Sequence, residues 1–185
     1  MAEVSNRGDK SEVICVQSDA GDEPTSIYDF TVNDINGNEV SLEKYKGHVL
    51  VIVNIASDRA LSTINDSELE RLYQLFAETK GLRILAFPSN QFSVNGPESI
   101  EELDDYVQTL DVSFDIFETV DVNGDRAHPL WKYLQNKLKG PFCNVGRSIK
   151  WNYTKFIVDK NGQPVERIGP ITNPATLIES LQKYW

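Results

Sequence analysis

The run Val49-Leu50-Val51-Ile52-Val53 limits what this chain can fold into more than any other stretch. Five consecutive apolar residues, four of them β-branched, leave no face for water, so they form a strand covered on both sides at the centre of a sheet. Past Ile55 the sequence becomes small and polar (Ala56, Ser57, Asp58, Arg59, Ala60), and helical spacing resumes just beyond. Open α/β sheets collect their chemistry where such a strand ends and a helix begins. The turn from Ser57 to Ala60 is therefore the first place to look for a site.

A length of 185 residues with 40% hydrophobic content supplies one sizeable core and predicts one globular domain. The net charge of −10 gives no basic footprint, which argues against DNA, RNA and anionic membrane surfaces as partners. No apolar run approaches the ~18 residues of a membrane span, and the segment MAEVSNRGDKSEV has no hydrophobic signal core, so the expected location is the cytoplasm. Asn65-Asp66-Ser67 and Asn152-Tyr153-Thr154 match the glycosylation pattern, and on that expectation they are chance matches. Cys15 and Cys143 do not make a disulfide framework, and His48 and His128 show no metal-ligand spacing, so neither a metal nor a resident cofactor is expected.

Residues 1–25 are polar, acidic and aperiodic, which predicts a leader, with the domain running from 26 to 185. Alternating runs at Tyr28, Phe30, Val32 and at Val40, Leu42 flank Asn36-Gly37, a hairpin signal because both turn residues tolerate positive φ. Beyond the central turn, Ile64, Leu69, Leu72, Leu75 and Phe76 predict an amphipathic helix closing near Lys80-Gly81. Leu82 to Phe87 is a second buried strand, and a strand, helix and strand in that order make a right-handed parallel unit. Ser99 and Glu102 form a capping box for a helix through about Leu110. A short strand at Phe114 to Phe117 and a turn at Asn123-Gly124 follow, then a helix opened by His128-Pro129. Gly140 to Ser148 is loop, Trp151 to Val158 and Pro164 to Ile168 form a second hairpin around Asn161-Gly162, and Asn173-Pro174 caps a final helix. The sum is an α/β chain with a thioredoxin-like fold: a mixed central sheet, helices on both faces and an N-terminal β-hairpin.

Three segments are unusual for plain structural loops: Asn54-Ile55-Ala56-Ser57, Phe87-Pro88-Ser89-Asn90-Gln91-Phe92, and Ile149-Lys150-Trp151-Asn152-Tyr153-Thr154-Lys155-Phe156. Together they resemble the three signature segments of the glutathione peroxidase family, in order and spacing, from Ser26 onward. The short connection from Lys139 to Ile149 resembles the compact phospholipid-hydroperoxide type, which implies a monomer.

The resemblance implies a low-pKa thiol or selenol two positions beyond Ser57, held by glutamine, tryptophan and asparagine side chains. That position is Arg59, whose guanidinium stays protonated and offers no lone pair. The glutamine position falls on Asn95, the tryptophan and asparagine on Trp151 and Asn152, the second cysteine on Ser89, and the resolving cysteine near Gln108. No family cysteine position keeps its sulfur.

Two functions of different class follow. The first is a protein without peroxidase activity, kept as a binding or regulatory module, in which Arg59, Ser89 and Lys150 would take a small anionic or peroxide ligand. The second is a peroxidase acting through a displaced thiol, Cys143, with Arg147 or Lys150 lowering its pKa and glutathione or thioredoxin as reductant, in response to oxidative stress. The plainer reading of Trp151, Asn152, Asn90 and Gln91 is packing and loop fixing. For a protein partner, the acidic leader and Tyr184-Trp185 are the visible candidates, although terminal aromatics commonly dock on their own domain.

Overall fold

The computed structural model describes residues 23–56, 59–92, 99–138 and 147–185, with the backbone alone at 59–63 and 100. In chain order the elements are β1 (Thr31–Asn33), β2 (Glu39–Ser41), β3 (Leu50–Ile55), α1 (Arg59–Lys80), β4 (Arg83–Pro88), α2 (Ile100–Thr109), β5 (Asp115–Ile116), α3 (Pro129–Lys137), β6 (Lys155–Val158), β7 (Pro164–Ile168) and α4 (Pro174–Gln182). All six residues of β3 are buried. It sits in the middle of the order β5-β4-β3-β6-β7, parallel to β4 and antiparallel to β6. The β1–β2 hairpin stands apart and touches the main sheet at Asp34 opposite Phe117.

Because side chains alternate along a strand, β3 feeds two cores. Leu50 and Ile52 join Leu85, Phe87 and Phe156 under Leu130, Trp131 and Leu134 of α3. Val49, Val51, Val53 and Ile55 join Ile84 and Ile157 under Leu69 and Leu72 of α1 and Leu177 and Leu181 of α4. Helices therefore cover both faces. Each such buried side chain contributes about 1.5–3 kcal/mol. The ion pairs Lys46–Glu43, Arg126–Asp121 and Lys183–Glu166 each have a partner more than half exposed and count for little beside that.

Local signals end the helices as the sequence predicts. Gly81 takes φ +70° after Lys80, and the Leu82 N–H bonds the Phe76 carbonyl at 3.1 Å. The capping box of Ser99 and Glu102 is closed in both directions. His128 Nδ1 accepts from the Leu130 N–H ahead of Pro129, and Asn173 Oδ1 accepts from the Ala175 N–H ahead of Pro174. Tyr184 donates to Glu166 at 3.0 Å and Trp185 packs on Phe76, so the C-terminal aromatics dock on their own domain.

Three readings are corrected. Tyr28 and Leu42 are not strand residues: Ile27–Asp29 and Leu42–Tyr45 are 3-10 turns, because Ser26 with Asp29, and Ser41, cap the backbone there. Ile64 and Leu75 do not face the core but are 61% and 50% exposed. The buried stripe of α1 runs instead through Asn65, Asp66, Leu69 and Leu72, so two polar residues open it. Third, Trp151 to Thr154 is not strand. Asn54 captures that backbone: its carbonyl accepts from the Tyr153 N–H at 2.7 Å, its Oδ1 from the Thr154 N–H at 3.2 Å, and its Nδ2 donates to the Trp151 carbonyl at 3.4 Å. Tyr153 is forced to φ +60° and β6 begins only at Lys155.

Entry to the domain is fastened to the β6–β7 turn. The Ile27 N–H bonds the Gly162 carbonyl, and the Tyr28 ring lies where a Cβ at Gly162 would stand, 2.6 Å from it. The Thr25 carbonyl accepts from Tyr133 and Gln163.

Candidate functional site

The site is built where β3 and β4 end. The Ser89 N–H bonds the Ile55 carbonyl at 2.9 Å, which carries β4 past its last paired residue and buries Ser89 completely. Asn152, also fully buried, accepts from Asn54 Nδ2 at 3.5 Å. Among the described residues, Ser89 Oγ, Asn152 Nδ2 and Thr119 Oγ1 are buried without a hydrogen-bond partner. Thr119 adjoins Val120, whose N–H bonds the Pro88 carbonyl at the same sheet edge. An unpaired buried polar group costs about 1–3 kcal/mol, so its persistence calls for a functional account. A fourth such atom, Trp131 Nε1, lies in the aromatic core against Phe87 and Phe156.

Trp151 is 37% exposed and leans on Phe92 with ring centroids 6.5 Å apart. Gln91 fixes the loop as the plainer reading holds, its Oε1 accepting from the Val122 and Asn123 N–H groups and its Nε2 donating to the Asn123 carbonyl. Arg59 supplies the first residue of α1, directly beyond the β3 edge. Ser89, Trp151 and Asn152 are thus gathered at one edge with the start of α1. Lys150 is exposed and donates to Ser148 Oγ at 2.8 Å. Asn95, Cys143 and Cys15, the Ser57-Asp58 pair and the Arg59 side chain lie outside the described residues, as does the leader up to residue 22.

Sequence reasoning missed the polar cluster behind this edge. Asp66, 7% exposed, is joined by the hydroxyls of Tyr106 and Tyr153, and Tyr153 also reaches the Ala56 carbonyl at 3.2 Å. Lys155, 4% exposed, donates to Asn65 Oδ1, to the Tyr153 carbonyl and to the Pro170 carbonyl at 3.1, 3.0 and 3.4 Å. Burial pulls the Lys155 ammonium down to about 8 and raises Asp66 from its ordinary value, against the lowering effect of the two tyrosine hydroxyls and of the Lys155 charge. Burial likewise pushes the Tyr153 hydroxyl up. The available signal was Asp66 at helical spacing from Leu69 and Tyr73, and a lysine inside a buried strand. A groove of about 520 Å³ between α1 and α2 has Asp66, Tyr106 and Leu110 in its wall.

Among the described residues no three His, Cys, Asp or Glu side chains are grouped to hold a metal ion, and no helix is long and apolar enough to cross a membrane. The family model for glutathione peroxidase matches residues 27–135. A probable phospholipid hydroperoxide glutathione peroxidase of Nicotiana sylvestris is 48% identical over 161 residues, covering 86% of this chain and 93% of that protein. The phospholipid hydroperoxide glutathione peroxidase of Callithrix jacchus is 42% identical over 172 residues, covering 93% and 86%. Among solved structures, T. cruzi GPX1 superposes with a TM-score of 0.71 at 33% identity, covering 86% of this chain and 95% of that one. A thioredoxin-family thiol:disulfide interchange protein of Chlorobium tepidum, at 15% identity and a TM-score of 0.62 over 89% and 99% of the two chains, shares the fold.

Proposed function

The chain belongs to the glutathione peroxidase family, and from that premise we propose that it has left chalcogen chemistry and serves as a binding or regulatory module. The observation that carries this reading is Arg59 at the head of α1, directly beyond the β3 edge. Peroxide reduction needs an ionised, accessible sulfur or selenium to attack the O–O bond, and a guanidinium has no electron pair to give. What the described residues offer there instead is the N-terminus of a 22-residue helix and the amide Nδ2 of Asn152, unpartnered among them, and the sequence makes the helix's first residue an arginine. Such a set suits a small anion such as a carboxylate, phosphate or sulfate. The chain would act as a cytoplasmic monomer.

Sulfate titration followed by calorimetry tests the binding half. Saturable binding lost in Arg59→Ala is expected, and equal binding in both proteins would refute it. For the chemical half, peroxide consumption is measured with hydrogen peroxide and a lipid hydroperoxide, using glutathione and then thioredoxin. No turnover above the uncatalysed rate is expected, while Arg59→Cys gains turnover if the scaffold is intact.

A second reading is favoured by the 48% identity to a protein named as a probable phospholipid hydroperoxide glutathione peroxidase. Here Cys143 thiolate attacks the hydroperoxide, releasing the alcohol and becoming a sulfenic acid, and two reductant thiols return it to thiol, losing water and leaving joined as a disulfide. Turnover that disappears in Cys143→Ser would establish this reading and end the first.

A further inference from the structure

The segment that brings Trp151 and Asn152 to the site belongs to no strand, and side chains from elsewhere hold its backbone. Arg167 donates to the carbonyls of Arg147 and Ser148 at 2.7 and 2.9 Å, and Asn54 holds Trp151, Tyr153 and Thr154. Between these two grips lies Ile149, where one side chain takes both backbone groups. The Ile149 N–H donates to Asn123 Oδ1, and Asn123 Nδ2 donates to the Ile149 carbonyl, each at 2.9 Å. A carboxamide carries an acceptor and a donor side by side, so it meets a residue's N–H and C=O as a neighbouring strand would.

Asn123 is itself gripped in the same way. Gln91 Oε1 accepts from the Asn123 N–H at 2.9 Å, and Gln91 Nε2 donates to the Asn123 carbonyl at 3.1 Å. Gln135, buried in α3, donates to the Val122 carbonyl at 2.7 Å and so ties this middle link to the core. Gln91 leads into Phe92 and Ile149 leads into Trp151, and those two rings are the ones that meet, 6.5 Å apart. We propose that Asn123 is a positioning residue: through Ile149 it sets Trp151 against Phe92 and presents Asn152 at the site edge. Ile149 is 2% exposed, so without Asn123 its N–H and carbonyl must move to find water, and Trp151 moves with them. An aspartate at this position keeps the shape and the acceptor, but turns a second oxygen toward the Ile149 carbonyl. Protonation of that oxygen restores the donor.

The positioning stands independently of the function proposed above, and its effect on ligand binding rests on that function. The readout is the NMR Overhauser contact between the ring protons of Phe92 and Trp151, with the methyl signals of Ile52 and Leu85 reporting the core. Asn123→Ala should lose the ring contact at pH 7 while the core signals keep their wild-type positions. Asn123→Asp should lose it at pH 7 and regain it as pH falls toward about 3.9, the value of an unperturbed aspartate. A contact that survives in Asn123→Ala, or that does not return in the acidified Asn123→Asp, would overturn the proposal. Core signals that shift together with the ring contact would also overturn it, because the role would then be in folding alone. For binding, sulfate affinity should fall by about tenfold in Asn123→Ala and in Gln91→Ala, and no further in the double variant, since two links of one relay are broken only once. Losses that multiply in the double variant refute the relay. Absence of sulfate binding in the wild type refutes the function proposed above, and leaves the ring contact to decide the positioning.

Discussion

The two ends of β3 are built differently. Near Leu50, polar groups are matched: His48 Nδ1 meets the Gly81 carbonyl at 2.7 Å, the Tyr45 hydroxyl donates to Asp115 at 2.8 Å, and Arg83 Nη1 donates to the Ala77 and Leu82 carbonyls. At the Asn54 end stand three atoms that are buried and unpaired among the described residues, on Ser89, Thr119 and Asn152, together with Tyr153 at φ +60°. The same strand thus has an end closed for stability and an end left open. Strain and unmet hydrogen bonds collect where a protein works rather than where it merely holds together.

Substitution in the middle of β3, between the two ends, should cost most. Ile52→Ala, in the fully buried middle of β3, is expected to lose about 2–5 kcal/mol in urea unfolding. A loss under about 1 kcal/mol would mean that the core around β3 relaxes, and would weaken the contrast. Lys155→Met gives the next largest effect, and it depends on pH. The folded protein holds this proton less tightly than the unfolded chain, about 8 against 10.5. Burying the ammonium therefore costs stability below pH 8, and the cost is relieved as pH rises toward 10.5. Wild type should gain on the variant across that window by at most about 3 kcal/mol, and parallel stability curves would show that Lys155 keeps an ordinary affinity for its proton.

At the closed end, Tyr45→Phe removes one donor to a carboxylate and should cost about 1–2 kcal/mol. The smallest effect is the sharpest for the comparison. Ser89→Ala deletes a hydroxyl that has no partner among the described residues, so stability should stay level or rise by up to about 1 kcal/mol. A loss comparable to that of Tyr45→Phe would show that the open end is not open at Ser89.

The elements that could be read from the sequence are those whose cause is local. The β-branched run at Val49 to Val53, the Ser99 and Glu102 box, His128-Pro129 and Asn173-Pro174 each act within a turn or a strand, and each lies where it was expected. Trp151 to Thr154 was misread as strand because its competitor, the Asn54 side chain, is about a hundred residues away in sequence. The gathering of Ser89, Trp151 and Asn152 at one edge followed from the family segments. The Asp66 cluster did not, since Tyr106 and Tyr153 reach it from distant parts of the chain, and nothing near Asp66 in sequence announces two phenols.

The strand order has a consequence for how the chain is made. Leu50 pairs with Val158 and Val53 with Lys155, so one edge of the most apolar strand waits for residues synthesised long after it. Until β6 leaves the ribosome, β3 can pair only with β4, and its other edge presents unpaired backbone beside valine and isoleucine side chains. Such an edge recruits other chains, and partners this far apart in sequence are slow to meet. Newly made chains are therefore most exposed to aggregation in the interval between the completion of α1 and the arrival of β6, and a truncation before Lys155 would prolong that interval indefinitely.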